Sequence, residues 1–282
     1  MTFPNGTTKL RVFVSGMSHA SSLRERFGMF RASGWTRSVK CFLNSGFPPL
    51  SSIFGNGTLG FLMQTPNDRI LTPFHQELLR RFAKSSVGPR FFLTGGTALA
   101  AFYLHHRLSE DLDLFTEAPD TVPLVLPVLQ EMARDLKTSL RISREFPTFV
   151  EVFFGPHNGE TVKMDFAQDS PFRLKGLEET GVGVRIDNSL DIACNKLSAL
   201  YGRAEGKDFI DVYFLVQKLY PFDDLLRHAK EKHGGLENYW LALAMQRVER
   251  VTLWPTMLVP CDLNDIRTFF LQKARELISQ KE

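Results

Sequence analysis

Asp111 and Asp113 stand two residues apart in the stretch Asp111-Leu112-Asp113-Leu114-Phe115. On a strand that spacing puts both carboxylates on one face and Leu112 and Leu114 on the other. Like charges so placed repel each other unless a cation sits between them. Hard oxygen donors suit Mg2+, an ion usually shared with the phosphates of a substrate. Upstream, Gly95-Gly96-Thr97 follows the apolar run Phe91-Phe92-Leu93. Two glycines allow backbone angles and close approaches that side chains forbid. A helix opening beyond them, at about Thr97, turns its free N–H groups and positive dipole end toward the turn, where phosphate binds.

These residues need a frame, and the chain supplies one in order. Thr72 as N-cap and Pro73 at the first helical position start a helix with an apolar stripe of Phe74, Leu78, Leu79 and Phe82. Val87-Gly88-Pro89 breaks it, a strand follows over 90–93, and a short helix over about 98–106 leads back to the acidic strand. A helix is expected over 128–136. Residues 149–154 and 161–167 form a hairpin around Gly155-Pro156-His157-Asn158-Gly159, and 182–187 a further strand. In that hairpin Val162, Met164 and Phe166 point inward, which leaves Asp165 and Lys163 together on the other face. A solvated strand face is the plain reading. Beyond Asn188 five helical segments follow. The fold class is α/β (α+β), a mixed sheet with flanking helices over 63–187 and a helical domain over 188–282.

The 282 residues are 43% hydrophobic and 23% charged, as in a globular protein able to bury a full core. The net charge of +3 is uneven: residues 1–62 hold seven Lys/Arg against Glu25, leaving −3 for the remainder, so the overall basicity is no evidence of nucleic-acid binding. Residues 1–62 lack sustained periodicity and read as a low-order extension, either a targeting or disordered segment or an over-extended translation start before Met63. Their eight phenylalanines argue against simple disorder. Cys41, Cys194 and Cys261 have neither pairing nor metal-ligand spacing, which fits a reducing, cytoplasmic setting. The uncharged run 41–67 is too broken by Pro, Gly and Asn for a membrane span. There is no P-loop, GxSxG or HExxH, and Gly181-Val182-Gly183 is too short for a dinucleotide loop.

The order Gly95-Gly96-Thr97, thirteen residues, then Asp111-Leu112-Asp113 resembles the nucleotidyltransferase fold. The segments GGTALA and HRLSEDLDLF resemble in particular the AbiEii/AbiGii-type toxin nucleotidyltransferases. Lys196, and Lys207-Asp208 with Asp211, match that family's later pattern. The resemblance runs from roughly Met63 to the C-terminal helices. It implies a third metal-holding carboxylate on a later strand, where Asp165 falls, completing a two-ion Mg2+ site with Asp111 and Asp113. It also implies phosphate binding by Gly95, Gly96 and Thr97, transition-state charge from Lys196, and a functional role for Asp211. An NTP as substrate, an RNA acceptor such as the tRNA 3′ end, and a cognate antitoxin follow from the same resemblance.

Physical reading of the remaining candidates keeps alternatives open. Lys196 and Arg203 lie seven apart on one helix face, where both could reach a phosphate-filled cleft. Asp211 sits among Phe209, Ile210, Val212 and Phe214, where an unpaired carboxylate costs several kcal/mol. A structural pair with Lys196 or Arg203 accounts for it equally well. Arg107 could neutralise a phosphate, and Ser109 could hold a metal-bound water or cap the local turn. His105 and His106 read as helix-end residues. A bare Asp-x-Asp also serves sugar-nucleotide glycosyltransferases, but the glycine turn favours nucleotidyl transfer. The competing functions are nucleotidyl transfer to a small molecule and a non-catalytic nucleotide-binding protein of the same fold.

Overall fold

In the computed structural model the described residues are 65–279, so the expectations for residues 1–62 and for Cys41 lie outside them. Thr72 caps helix α1 (Pro73–Lys84), its hydroxyl accepting from the His75 N–H, and Phe74, Leu78, Leu79 and Phe82 are buried beneath it. A short turn leads into β1 (Phe92–Thr94), and α2 (Gly95–Ala98) starts directly from the strand, continuing as a π-helical stretch over Leu99–Leu104. The helix expected to open at about Thr97 therefore already includes both glycines. Gly95 takes a φ of +75°, the left-handed angle that turns the chain from strand to helix.

After β2 (Leu112–Thr116) come α3 (Val125–Asp135), β3 (Leu140–Phe146), β4 (Phe149–His157), β5 (Glu160–Gln168) and the two-residue β6 (Arg185–Ile186). They form one mixed sheet in the order β3-β4-β5-β2-β1-β6. The β2–β5 pair is parallel and the β4–β5 hairpin antiparallel. One sheet face is apolar: Leu112, Leu114, Val150, Val152, Phe154, Met164 and Phe166 are buried in the core. The opposite face carries the polar residues of the same strands. Strand β3 was not expected. It lies at the sheet edge with Arg141 to Phe146 all exposed, so neither face leaves a hydrophobic alternation in the sequence.

Asn188 caps α4 (Ser189–Gly202) by accepting from the N–H groups of Leu190 and Asp191. The architecture changes here from sheet to helices: α5 (Gly206–Lys218), α6 (Phe222–Lys232), α7 (Asn238–Gln246) and α8 (Leu263–Ser279). All five C-terminal helices read from the sequence are present. The described sheet and helices belong to one compact unit. A backbone bridge between Arg107 and Met257 ties the segment before β2 to the loop before α8. Cys194 and Cys261 are free thiols. Among the described residues no helix is long and apolar enough to cross a membrane.

Candidate active site

The parallel register of β2 and β5 sets Asp113 directly beside Asp165, and the hairpin sets Glu151 beside Asp165 on the other side. Thr94 flanks Asp113 on β1 and Arg144 flanks Glu151 on β3. Register partners share a face, so Thr94, Asp113, Asp165, Glu151 and Arg144 form one row across the polar side of the sheet. Asp111 lies just before β2, with its side chain about half exposed. Asp165 thus stands on the same face as the Asp-x-Asp pair, where the sequence reading placed it.

The row is electrostatically strained. Burial pushes the Asp113 carboxyl up to about 6; Lys196 opposes that shift, while Asp165 and Asp111 add to it. Burial also raises Asp165, with Lys163 opposing. Lys163 Nζ lies 2.7 Å from Asp165 Oδ2 and 3.5 Å from both Asp111 Oδ2 and Glu151 Oε2. Burial pulls the ammonium down, but its hydrogen bond to Asp165 and the three surrounding charges outweigh that and hold it above the usual lysine range. The hydrogen bond from Arg144 holds Glu151 well below the usual carboxylate range. Asp165 Oδ1 is buried with no hydrogen-bond partner among the described residues.

The glycine turn packs closely against charged side chains. A Cβ on Gly95 would lie 2.0 Å from Asp113 Oδ2, so this glycine lets the carboxylate pack against the turn. A Cβ on Gly96 would meet Arg107 Nη2 at 2.7 Å and Ser109 Oγ at 3.0 Å. Gly95 stays partly exposed while Gly96 is covered. Thr97 is fully buried; its hydroxyl donates to the Asp111 carbonyl at 2.5 Å and lies 2.9 Å from Ser109 Oγ. Thr97 and Ser109 therefore fasten α2 to the acidic strand's lead-in, a side-chain contact twelve residues apart in the chain rather than a local cap.

Beneath the turn a second cluster surrounds Asp211, which is fully buried. Arg107 donates to it twice, Nε to Oδ1 at 2.6 Å and Nη2 to Oδ2 at 2.8 Å. Lys196 Nζ stands 2.8 Å from Oδ2, and His106 Nε2 donates to Oδ1 at 2.8 Å. Burial alone would raise this carboxyl. The charges of Lys196 and Arg107, with hydrogen bonds from Arg107 and His106, instead hold it well below the usual range. The expected pairing with Lys196 is present, and the one with Arg203 is not. Arg203 donates to Asp208 at 2.8 and 2.7 Å across the α4–α5 junction, because Asp208 lies only five residues on. Arg107, read as a phosphate neutraliser, pairs with Asp211, and its Nη2 also lies beside the Gly96 turn. His106, read as a helix-end residue, is a buried partner of the same carboxylate.

Among the described residues no three His, Cys, Asp or Glu side chains already converge at metal-binding distance. The donors still fit a divalent ion: a row of carboxylates, one of whose oxygens has no partner, gathered around an ammonium that stands in for a cation. Glu151 and Lys163 are the residues sequence reading missed as members of this site. Alternation puts Lys163 on the face of Asp165, and Glu151 on the face opposite Val150 and Val152, but its place beside Asp165 depends on the pairing of β4 with β5.

Residues 77–276, well over half the chain, match the family described as nucleotidyl transferase AbiEii toxin of the type IV toxin–antitoxin systems. The chain belongs to that family and is a nucleotidyltransferase. An uncharacterized protein of Aquifex aeolicus, aq_aa25, is 28% identical over 178 residues, which is 60% of this chain and 79% of the relative. A Helicobacter pylori structure provisionally classed as a nucleotidyltransferase superposes with a TM-score of 0.50 at 15% identity, covering 75% of this chain and 95% of that one. That likeness is one of fold. MenT4, a nucleotidyltransferase toxin of Mycobacterium tuberculosis H37Rv, gives a TM-score of 0.47 at 14% identity over 74% of this chain and 82% of its own.

Proposed function

We propose that the protein transfers a nucleotide from an NTP to the end of an RNA, with the tRNA 3′ end as the acceptor, and that the acidic row is where this happens. The observation that supports it most is the register of Asp113 with Asp165 on adjacent parallel strands, beside the Gly95–Gly96 turn. Asp111, Asp113 and Asp165 would hold Mg2+, in one or two ions. Bound there, the metal would supply positive charge for the triphosphate and for the oxyanion that leaves.

The remaining steps belong to the chain's own side chains. Lys196 Nζ would stand 3.5 Å from a Cβ at Gly96, so its charge faces the turn and can meet phosphate there. Asp165 Oδ1, buried and without a hydrogen-bond partner among the described residues, would accept the proton of the acceptor hydroxyl once the substrate is seated against it. As that proton leaves, the hydroxyl oxygen bonds to the α-phosphorus and pyrophosphate departs in line. Asp211 works at one remove by fixing Lys196, Arg107 and His106 under the turn. A partner antitoxin and a cytoplasmic setting accompany this reading.

Incubating the protein with α-labelled NTPs, total RNA and a panel of small hydroxyl acceptors tests it. Label is expected in RNA. Label on small acceptors alone would reassign the substrate, and no labelled product at all would refute the transfer.

A further inference from the structure

The centre of the acidic face is occupied by part of the protein itself. Lys163 reaches from β5 to carboxylates carried by three different stretches of chain: Asp165 beside it on β5, Asp111 ahead of β2 and Glu151 on β4. These contacts span 2.7 to 3.5 Å. The lysine side chain is about a quarter exposed, and its stem has four rotatable carbons, so its ammonium can move without disturbing the sheet. Glu151 has no such freedom. Its side chain is almost wholly covered, and Arg144 donates to both its oxygens.

A divalent ion bound by Asp111 and Asp165 would compete directly with this ammonium for the same oxygens. Two cations cannot share that space at contact distance without strong repulsion. Among the described residues the remaining carboxylate already at ion-pair distance is Glu151, 3.5 Å from Nζ and fixed in the row next to Asp165.

We propose that Lys163 is the resident counter-ion of the acidic row, and that loading a divalent cation is an exchange in which the ammonium leaves Asp165 and Asp111 and withdraws onto Glu151. Lys163 gathers the carboxylates while the site waits, and Glu151 receives it when the ion arrives. This makes the two residues positioning groups for metal entry, and it rests on the reading of the row as the metal site.

Titration with Mn2+ alone, following the electron paramagnetic resonance signal of the free ion with no nucleotide present, separates the possibilities. Wild type is compared with Lys163→Met, Lys163→Gln, Glu151→Gln, the Lys163→Met/Glu151→Gln double variant and Asp113→Asn, each checked for folding by circular dichroism. Removing the competing charge should tighten Mn2+ binding about tenfold in both Lys163 variants. Glu151→Gln should weaken binding, and by less once Lys163 is absent, because the two act together. Binding in the Lys163 variants as weak as wild type, or weaker, overturns the exchange. An equal effect of Glu151→Gln with and without Lys163 also overturns it, by making Glu151 an independent ligand. If Asp113→Asn binds Mn2+ as wild type does, the row is not the metal site, and the reading beneath the proposal fails first.

Discussion

Asp211 and Asp113 are the same side chain, little more than one residue layer apart in function but opposite in electrostatic setting. Asp211 receives Arg107, Lys196 and His106 at 2.6 to 2.8 Å and is held well below the usual carboxylate range. Asp113 receives no hydrogen bond to its carboxylate from the described residues; it packs on Gly95 and is pushed up to about 6. A buried acid that is fully paired holds elements together, here α4, α5 and the segment before β2. An acid left in a row of acids is an attraction waiting for a cation. On the proposed function, the difference separates scaffold from chemistry.

Substitutions should split along the same line. Asp211→Ala removes the one anion among buried cations, so urea unfolding should show a loss of about 3–5 kcal/mol, with activity lost as the fold fails. Asp165→Asn should instead leave stability within about 1 kcal/mol of wild type while slowing transfer roughly 100- to 1000-fold in a label-incorporation assay. Gly95→Ala joins the two regions: a left-handed φ costs about 1–2 kcal/mol in melting experiments, and the collision with Asp113 should lower activity further than stability.

The scaffold also has a pH signature. Burial lowers the His106 pKa, with Asp211 only partly opposing. The folded state therefore binds this proton less readily than the unfolded chain, so the stability it contributes is present above about 6.5 and is lost as pH falls below that value. Urea unfolding between pH 7.5 and 5.5 should show about 1 kcal/mol of loss that is absent in His106→Gln. The smallest effect is expected at Lys207, whose ion pair with Glu205 is exposed at both ends. Lys207→Ala should change stability by less than about 0.5 kcal/mol and leave transfer intact. A large activity loss there would extend the site beyond both regions.

Much of this site is local and so could be read from the sequence. The Asp111–Asp113 spacing, the glycine pair, the cap at Thr72, and the inward alternation around Asp165 depend only on neighbours in the chain. What was hidden depends on register or distance. Strand β3 buries neither face. Asp211 draws His106 and Arg107 from more than a hundred residues away. Glu151's place beside Asp165 turns on a single irregularity: the hairpin closes with His157 opposite Glu160, and a register shift between His157 and Phe154 then sets Glu151, rather than Val152, opposite Asp165. A one-residue slip exchanges the faces of a strand, and the turn sequence alone does not reveal the bulge that makes it.

In the proposed reaction the acidic row does the chemistry, and the Asp211 cluster holds it in place and presents Lys196 to the phosphate. Asp113→Asn tests this most directly, with thermal melting and transfer of α-labelled nucleotide to RNA measured on the same preparation. The account predicts a melting temperature at or above that of wild type, because like-charge repulsion is relieved, together with transfer reduced to background. A well-folded Asp113→Asn protein that still labels RNA at the wild-type rate would contradict it.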